Sequence, residues 1–207
     1  MNVLVIDYEM GNVQSVANAF KAIGCSASIS NDKKEFSKAS HLVLPGVGAF
    51  EQGMDNLTRL GIIDILKDEV MKKGKPFLGI CLGMQLLFNR SHENGTRKGL
   101  GWIDGEVVGF DPEKVLVPHV GWNDVYPTQK RSLFNGIEDN LTFYFVHSFF
   151  PRCDDKDLIS ATSEYGERFV AAIEKDNIFA TQFHPEKSQV EGLEVLKNFV
   201  EWSQPDA

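Results

Sequence analysis

Lys75-Pro76-Phe77-Leu78-Gly79-Ile80-Cys81-Leu82-Gly83-Met84-Gln85 passes from an apolar run into a Gly-Ile-Cys-Leu-Gly turn and then into helix-forming residues. A short continuous apolar segment predicts a strand buried on both faces, the kind found in parallel α/β sheets. Glycines two residues either side of Cys81 relieve crowding in a sharp strand-to-helix turn, the setting of a nucleophile elbow with Cys in place of Ser. Such a turn presents the sulfur at the carboxyl end of the sheet, where ligands bind in folds of this type. The start of a helix favours a thiolate there, and the Leu82 N–H is free to bind a developing oxyanion. Free cysteine is more often a small buried hydrophobe, and that reading holds for Cys25 and Cys153, which lack any such surroundings.

The flanking sequence alternates in the same strand–helix manner. Val3–Ile6, Ser26–Ser30 and His41–Leu44 read as strands, and Val13, Val16, Ala17 and Phe20 mark a helical face closed by Gly24. Glu51–Lys73 reads as one helix, and a second is expected from Leu82 to about Arg90. From Trp102 onward the texture changes. Glu106–Phe110, Leu141–Phe149, Phe169–Glu174 and Ile178–Phe183 are rich in β-branched and aromatic residues and read as hairpins, with Lys175-Asp176-Asn177 as a short hairpin loop. Leu193, Leu196, Phe199 and Val200 give a final amphipathic helix. The expectation is a single α/β domain over residues 1–207, with a mostly parallel central sheet between helices and antiparallel β segments added in the C-terminal half.

Charge excludes several roles. With 21 Lys+Arg and 29 Asp+Glu the net charge is −8, and no basic cluster is present to neutralise phosphates, so nucleic acids and acidic membranes are poor partners. The longest nearly apolar run, Phe77 to Phe88, falls short of the roughly 18 residues of a membrane span. The N-terminus has no basic region and reaches Asp7 too early for a secretory signal, so a cytoplasmic protein is expected. Three widely spaced cysteines disfavour both a disulfide framework and a zinc site. Gly46-Val47-Gly48 lacks the spacing of a dinucleotide site and the Lys of a P-loop, so no cofactor is expected.

A catalytic Cys needs a base, and of five histidines His184, in Phe183-His184-Pro185-Glu186, stands out. The residue before a proline is held extended, and a carboxylate two residues on in extended chain projects to the same side. Glu186 can therefore orient the imidazole and stabilise its charged form. Leu44-Pro45-Gly46-Val47-Gly48-Ala49-Phe50 follows a buried strand and opens a helix, which brings its backbone N–H groups to the same crevice.

Gly79–Gln85 together with Phe183–Glu186 resembles the class I (triad) glutamine amidotransferases, whose domain has a flavodoxin-like three-layer fold and hydrolyses glutamine. Within that family the full length is similar to the glutaminase subunits of imidazole glycerol phosphate synthase, on Ile6-Asp7-Tyr8 with Gly11-Asn12, Leu44–Phe50, Pro118–Asn123, Tyr144–Ser148 and Phe183–Gln189. The resemblance implies Cys81, His184 and Glu186 as triad, with backbone N–H groups of Val47 and Leu82 as oxyanion hole. It implies Gly48, Gln85, Glu93, Tyr144, His147, Ser148 and Phe149 as the glutamine pocket. It places Asn12, Trp122 and Lys187 towards a (β/α)8-barrel cyclase subunit in a heterodimer. For His147, His119 and Trp122 the sequence alone favours packing. Glu9, Val120 and His92 depart from the pattern, which usually has Gly, Met and Glu there. The glutaminase of another synthase and a non-catalytic interaction subunit remain as alternative readings.

Overall fold

A computed structural model of the protein describes residues 1–128, 132–137 and 141–203. The chain opens with β1 (Asn2–Ile6), α1 (Val13–Ala22), β2 (Ser26–Ser30), α2 (Lys33–Lys38), β3 (His41–Gly46), α3 (Phe50–Arg59) and α4 (Ile63–Leu66), which passes into a π-helical turn at Lys67–Lys72. β4 (Phe77–Cys81) and α5 (Leu82–Gln85) follow. The chain then runs through β5 (Phe88–Ser91), β6 (Arg97–Lys98), β7 (Ile103–Gly109), β8 (His119–Pro127), β9 (Leu141–His147) and β10 (Phe149–Cys153). β11 (Ile159–Tyr165), β12 (Glu167–Lys175), β13 (Ile178–Thr181) and α6 (Gln189–Glu201) complete it.

Nine strands form the main sheet in the order β2-β1-β3-β4-β13-β12-β11-β8-β9. The first five are parallel, and with β13 as the fifth they have the 2-1-3-4-5 order of flavodoxin-like sheets. The remaining pairings are antiparallel and continue the same sheet. β10-β7-β5-β6 make a second sheet. β3 and β4 are buried at every position, as continuous apolar strands between helical layers must be. Phe20 of α1 and Val195, Leu196 and Phe199 of α6 cover one face, against Val5, Val43 and Leu78. Phe36, Leu57, Leu66 and Met84 from α2–α5 cover the other, against Leu4, Leu42 and Leu44. Each such side chain contributes about 1.5–3 kcal/mol by leaving water, so these two layers fix the strand ends that carry the site.

Three expected elements come out differently. The helix expected over Glu51–Lys73 is interrupted, because Gly61 takes φ 63 and the Ile62 and Gly61 N–H groups bond the Leu57 and Thr58 carbonyls. These are the two bonds of a Schellman motif, which ends α3. The helix expected from Leu82 to about Arg90 stops at Gln85, and Phe88–Ser91 pairs with β6 and β7 instead. Leu86, Leu87 and Phe88 are all fully buried, so their apolar run fits helix and strand alike. The segment Leu141–Phe149 is two strands: the chain bends at Ser148, and Phe149 begins β10 in the second sheet. The hairpin loop is as expected, with Lys175 paired to Ile178 across Asp176 and Asn177.

Burial also sets an acid limit. His41, His119 and His147 are buried, which pushes their pKa values down to about 4, about 4 and about 3. Between those values and 6.5 the unfolded chain binds protons that the folded protein does not, so stability rises with pH there and falls on acidification. Urea unfolding at pH 7, 5.5 and 4.5 is expected to show a falling midpoint; a constant midpoint contradicts burial of the three rings.

Candidate active site

β4 delivers Cys81 to the carboxyl end of the sheet at φ 54 and ψ −107, a strained conformation for a residue other than glycine. The flanking glycines make the turn possible. A Cβ at Gly79 would lie 2.8 Å from the Gly83 carbonyl oxygen, and one at Gly83 would lie 1.8 Å from that of Leu44. Cys81 caps α5, and Leu82, as the first helical residue, has an N–H without an intrahelical acceptor. α5 is only four residues long, shorter than the helix expected from sequence.

β13 runs beside β4, Thr181 opposite Ile80, and carries the chain to His184 on the same sheet end. His184 Nδ1 lies 2.8 Å from Glu186 Oε1, with both side chains only 3% exposed. Glu186 reaches the ring from a 3₁₀ turn at Pro185–Lys187, whereas the sequence argument assumed extended chain; only His184 itself, at φ −100 and ψ 95, is extended. His184 Nε2 is buried and has no hydrogen-bond partner among the described residues. Burial alone depresses the pKa of this ring, but the negative charge of Cys81, with Glu186 behind it, reverses that and raises it to about 10. The arrangement therefore favours the protonated form of the His184 ring. Cys153 is pushed up to about 11 by burial and stays a thiol.

Cys81 lines a cavity of about 350 Å³ together with Val47, Gly48, Leu82, Gln85, Glu93, His147, Ser148 and Phe149. Val47 and Gly48 come from the loop after β3, whose Gly46 pairs with Cys81. A side chain at Gly46 would collide with the Tyr8 hydroxyl, and one at Gly11 would press on the Val47 nitrogen. Glu93 Oε2 accepts the Phe50 N–H at 2.7 Å, capping α3, whose own N-cap residue, Ala49, supplies no side-chain bond. Gln85 Nε2 donates to the Phe149 carbonyl at 2.8 Å and to Gln182 Oε1 at 3.1 Å.

Tyr144 lies outside this lining. Its ring meets Trp122 at 6.2 Å between centroids, and Lys187 Nζ stands 5.5 Å from its centre. Two of the three residues expected to face a partner are thus gathered around Tyr144. The third, Asn12, is the N-cap of α1, accepting from the Ser15 N–H. Gln182 escaped sequence reasoning: it is fully buried, and its Nε2 reaches Cys81 Sγ at 3.6 Å. A polar residue in the apolar run ahead of His184 was the available signal.

The sequence and the fold have relatives among known proteins. Residues 4–202 match the family described as glutamine amidotransferase class-I. The chain belongs to the class I glutamine amidotransferases. The imidazole glycerol phosphate synthase subunit HisH 1 of Campylobacter jejuni (strain RM1221) is 50% identical over 199 residues, 96% of this chain and 98% of that one. Subunit HisH 2 of Methanococcus maripaludis is 48% identical, with 96% and 98% of the two chains covered. Among solved structures, PurLQS from Thermotoga maritima shares the fold at a TM-score of 0.75 and 19% identity, covering 96% of this chain and 97% of that one. Three positions of this class I glutamine amidotransferase, Glu9, His92 and Val120, depart from the pattern that the resemblance implies. Glu9 holds φ 65, a conformation glycine adopts more easily, and pairs with Arg59. His92 contacts Glu106 at 2.9 Å. Val120 is exposed on β8.

Proposed function

We propose that the chain hydrolyses L-glutamine to glutamate and ammonia with Cys81 as nucleophile, and passes the ammonia to a (β/α)8-barrel cyclase subunit in a heterodimer. The partner then makes imidazole glycerol phosphate and an aminoimidazole carboxamide ribonucleotide, a step of histidine biosynthesis in the cytoplasm. The observation that carries this reading is the cavity-lining Cys81 backed by the buried His184–Glu186 pair. The names of relatives near 50% identity over almost the full length support the choice of pathway.

In the proposed sequence the Cys81 thiolate attacks the side-chain amide carbon, and the carbonyl electrons move to oxygen, where the Leu82 and Val47 N–H groups hold them. Collapse of this intermediate breaks the C–N bond as His184 protonates the amide nitrogen, which leaves as ammonia. His184 then takes a proton from water as it attacks the thioester, releasing glutamate and restoring the thiolate. Glu186 keeps the ring oriented throughout. Gly48, Gln85, Glu93, His147, Ser148 and Phe149 form the pocket for the rest of glutamine, with the Glu93 carboxylate facing its α-ammonium. Tyr144 is better assigned to the outer face with Trp122 and Lys187 than to this pocket. That face and Asn12 form the proposed partner surface. Release against a partner keeps ammonia from protonation in bulk water.

6-Diazo-5-oxo-norleucine, a glutamine-shaped alkylating agent, tests the site. With the cyclase subunit present it is expected to modify Cys81 and neither Cys25 nor Cys153, as read by peptide mapping. Equal modification of Cys153, or none at Cys81, contradicts the proposal.

A further inference from the structure

Two buried histidines join the cavity wall to the strand behind it. His119 and His147 stand opposite each other in the β8–β9 ladder, both nearly inaccessible to solvent. His147 Nδ1 lies 2.8 Å from the Phe149 carbonyl oxygen. A carbonyl can only accept, so Nδ1 carries the proton, and a neutral ring then presents Nε2 as an acceptor. His119 Nδ1, 2.9 Å away, therefore donates to His147 Nε2. The remaining nitrogen of His119 accepts from Asn123 Nδ2 at 3.3 Å, and the same amide group donates to the Glu164 carbonyl at 2.9 Å. From Asn123 through His119 and His147 the donors lead to the carbonyl of Phe149, a residue of the cavity wall. Protonating either ring would set two N–H groups against each other, and burial keeps both rings neutral near pH 7.

The rings are also held laterally. His119 stacks against Phe145 and Tyr165, with centroids 5.0 and 4.1 Å away, and His147 lies against Phe110 and Phe169. The chain of bonds ends at the bend where the backbone leaves the nine-stranded sheet for the second one, a corner whose residues His147, Ser148 and Phe149 line the cavity together with Cys81, whose Sγ lies 3.8 Å from the adjoining Val146 carbonyl oxygen. Gln85, from the nucleophile's own helix, donates to the same Phe149 carbonyl.

We infer that His119, with Asn123 behind it, is a positioning residue for the glutamine pocket: acting through His147, it holds the Ser148–Phe149 corner at the separation from Cys81 that a bound glutamine spans. The inference rests on the glutaminase reading and deepens it.

Steady-state glutaminase kinetics of the complex with the cyclase subunit test it, using His119→Phe, His119→Asn and Asn123→Ala. His119→Phe keeps a ring between Phe145 and Tyr165 but removes the donor, and the KM for glutamine is expected to rise about tenfold while kcat changes less than about threefold. His119→Asn, whose amide nitrogen can occupy the place of Nδ1, restores KM to within about threefold of the wild-type value. Asn123→Ala raises KM by about threefold, and serves if His119→Phe does not fold. Alkylation of Cys81 by iodoacetamide, which needs no glutamine pocket, proceeds at an unchanged rate in all of them. An unchanged KM in His119→Phe and Asn123→Ala, equal losses in kcat and alkylation, or no recovery in His119→Asn reduces the pair to packing and overturns the inference, with the glutaminase reading intact. A wild-type complex that releases no ammonia from glutamine overturns both.

Discussion

Replacing Cys81 with alanine is expected to abolish glutamine-dependent synthesis by the complex with the cyclase subunit, while synthesis from ammonium salts at alkaline pH continues at the wild-type rate. Loss of the nucleophile from a triad costs on the order of four to six powers of ten in kcat. The substitution removes one sulfur atom from a position 4% exposed, and the turn that holds it is set by Gly79 and Gly83. Alanine bears the same positive φ as cysteine, so no new backbone strain appears. Free ammonia, abundant at alkaline pH, reaches the partner without help. Measuring product from both nitrogen sources on one preparation separates the outcomes. Persistent glutamine-dependent synthesis removes the triad reading, and loss of both activities makes Cys81 a structural residue.

Gly83→Ala is the second large effect, and it acts through the backbone. The added methyl would stand 1.8 Å from the Leu44 carbonyl oxygen, and Leu44 lies in β3, the strand paired with β4. Neither group is the end of a flexible side chain, so β3 and α5 must part. Overpacking of this kind costs about 3 kcal/mol or more. Parting them moves the Val47–Gly48 loop away from Cys81, so glutamine hydrolysis should fall with stability. Gly24→Ala is a useful control, since nothing lies within 4 Å of its added methyl and only its φ of 83 opposes the change. A Gly83→Ala protein that melts and turns over like wild type contradicts the close approach of β3 and α5.

The parallel half of the fold was readable because its signals are local. Gly79, Cys81 and Gly83 declare an elbow by spacing, and the apolar runs of β1, β3 and β4 declare buried strands. Non-local competition explains the errors. Phe88 could have continued a helix, but β7 offered its backbone a ladder, and the Asn89 side chain bonds the Gly105 N–H. Gly61 could have been tolerated mid-helix, yet the Schellman bonds end α3 there. Within the site, His184 and Glu186 were legible as neighbours in sequence. Gln182 and His119 were not, because their importance lies in partners far along the chain: Cys81 and Gln85 for the one, His147 for the other.

Strands β4 and β13 are ladder neighbours, yet everything from β5 to β12 lies between them in the chain. Cys81 and His184 thus follow from neighbouring parallel strands, and the intervening segment is a long excursion that returns to its point of departure. That excursion supplies part of the cavity wall, Pro118 and Val146 to Phe149, and the outward-facing Val120 and Trp122. The side chains of the proposed reaction therefore stand on one frame, and the surface beside them stands on a length of chain that leaves that frame and comes back.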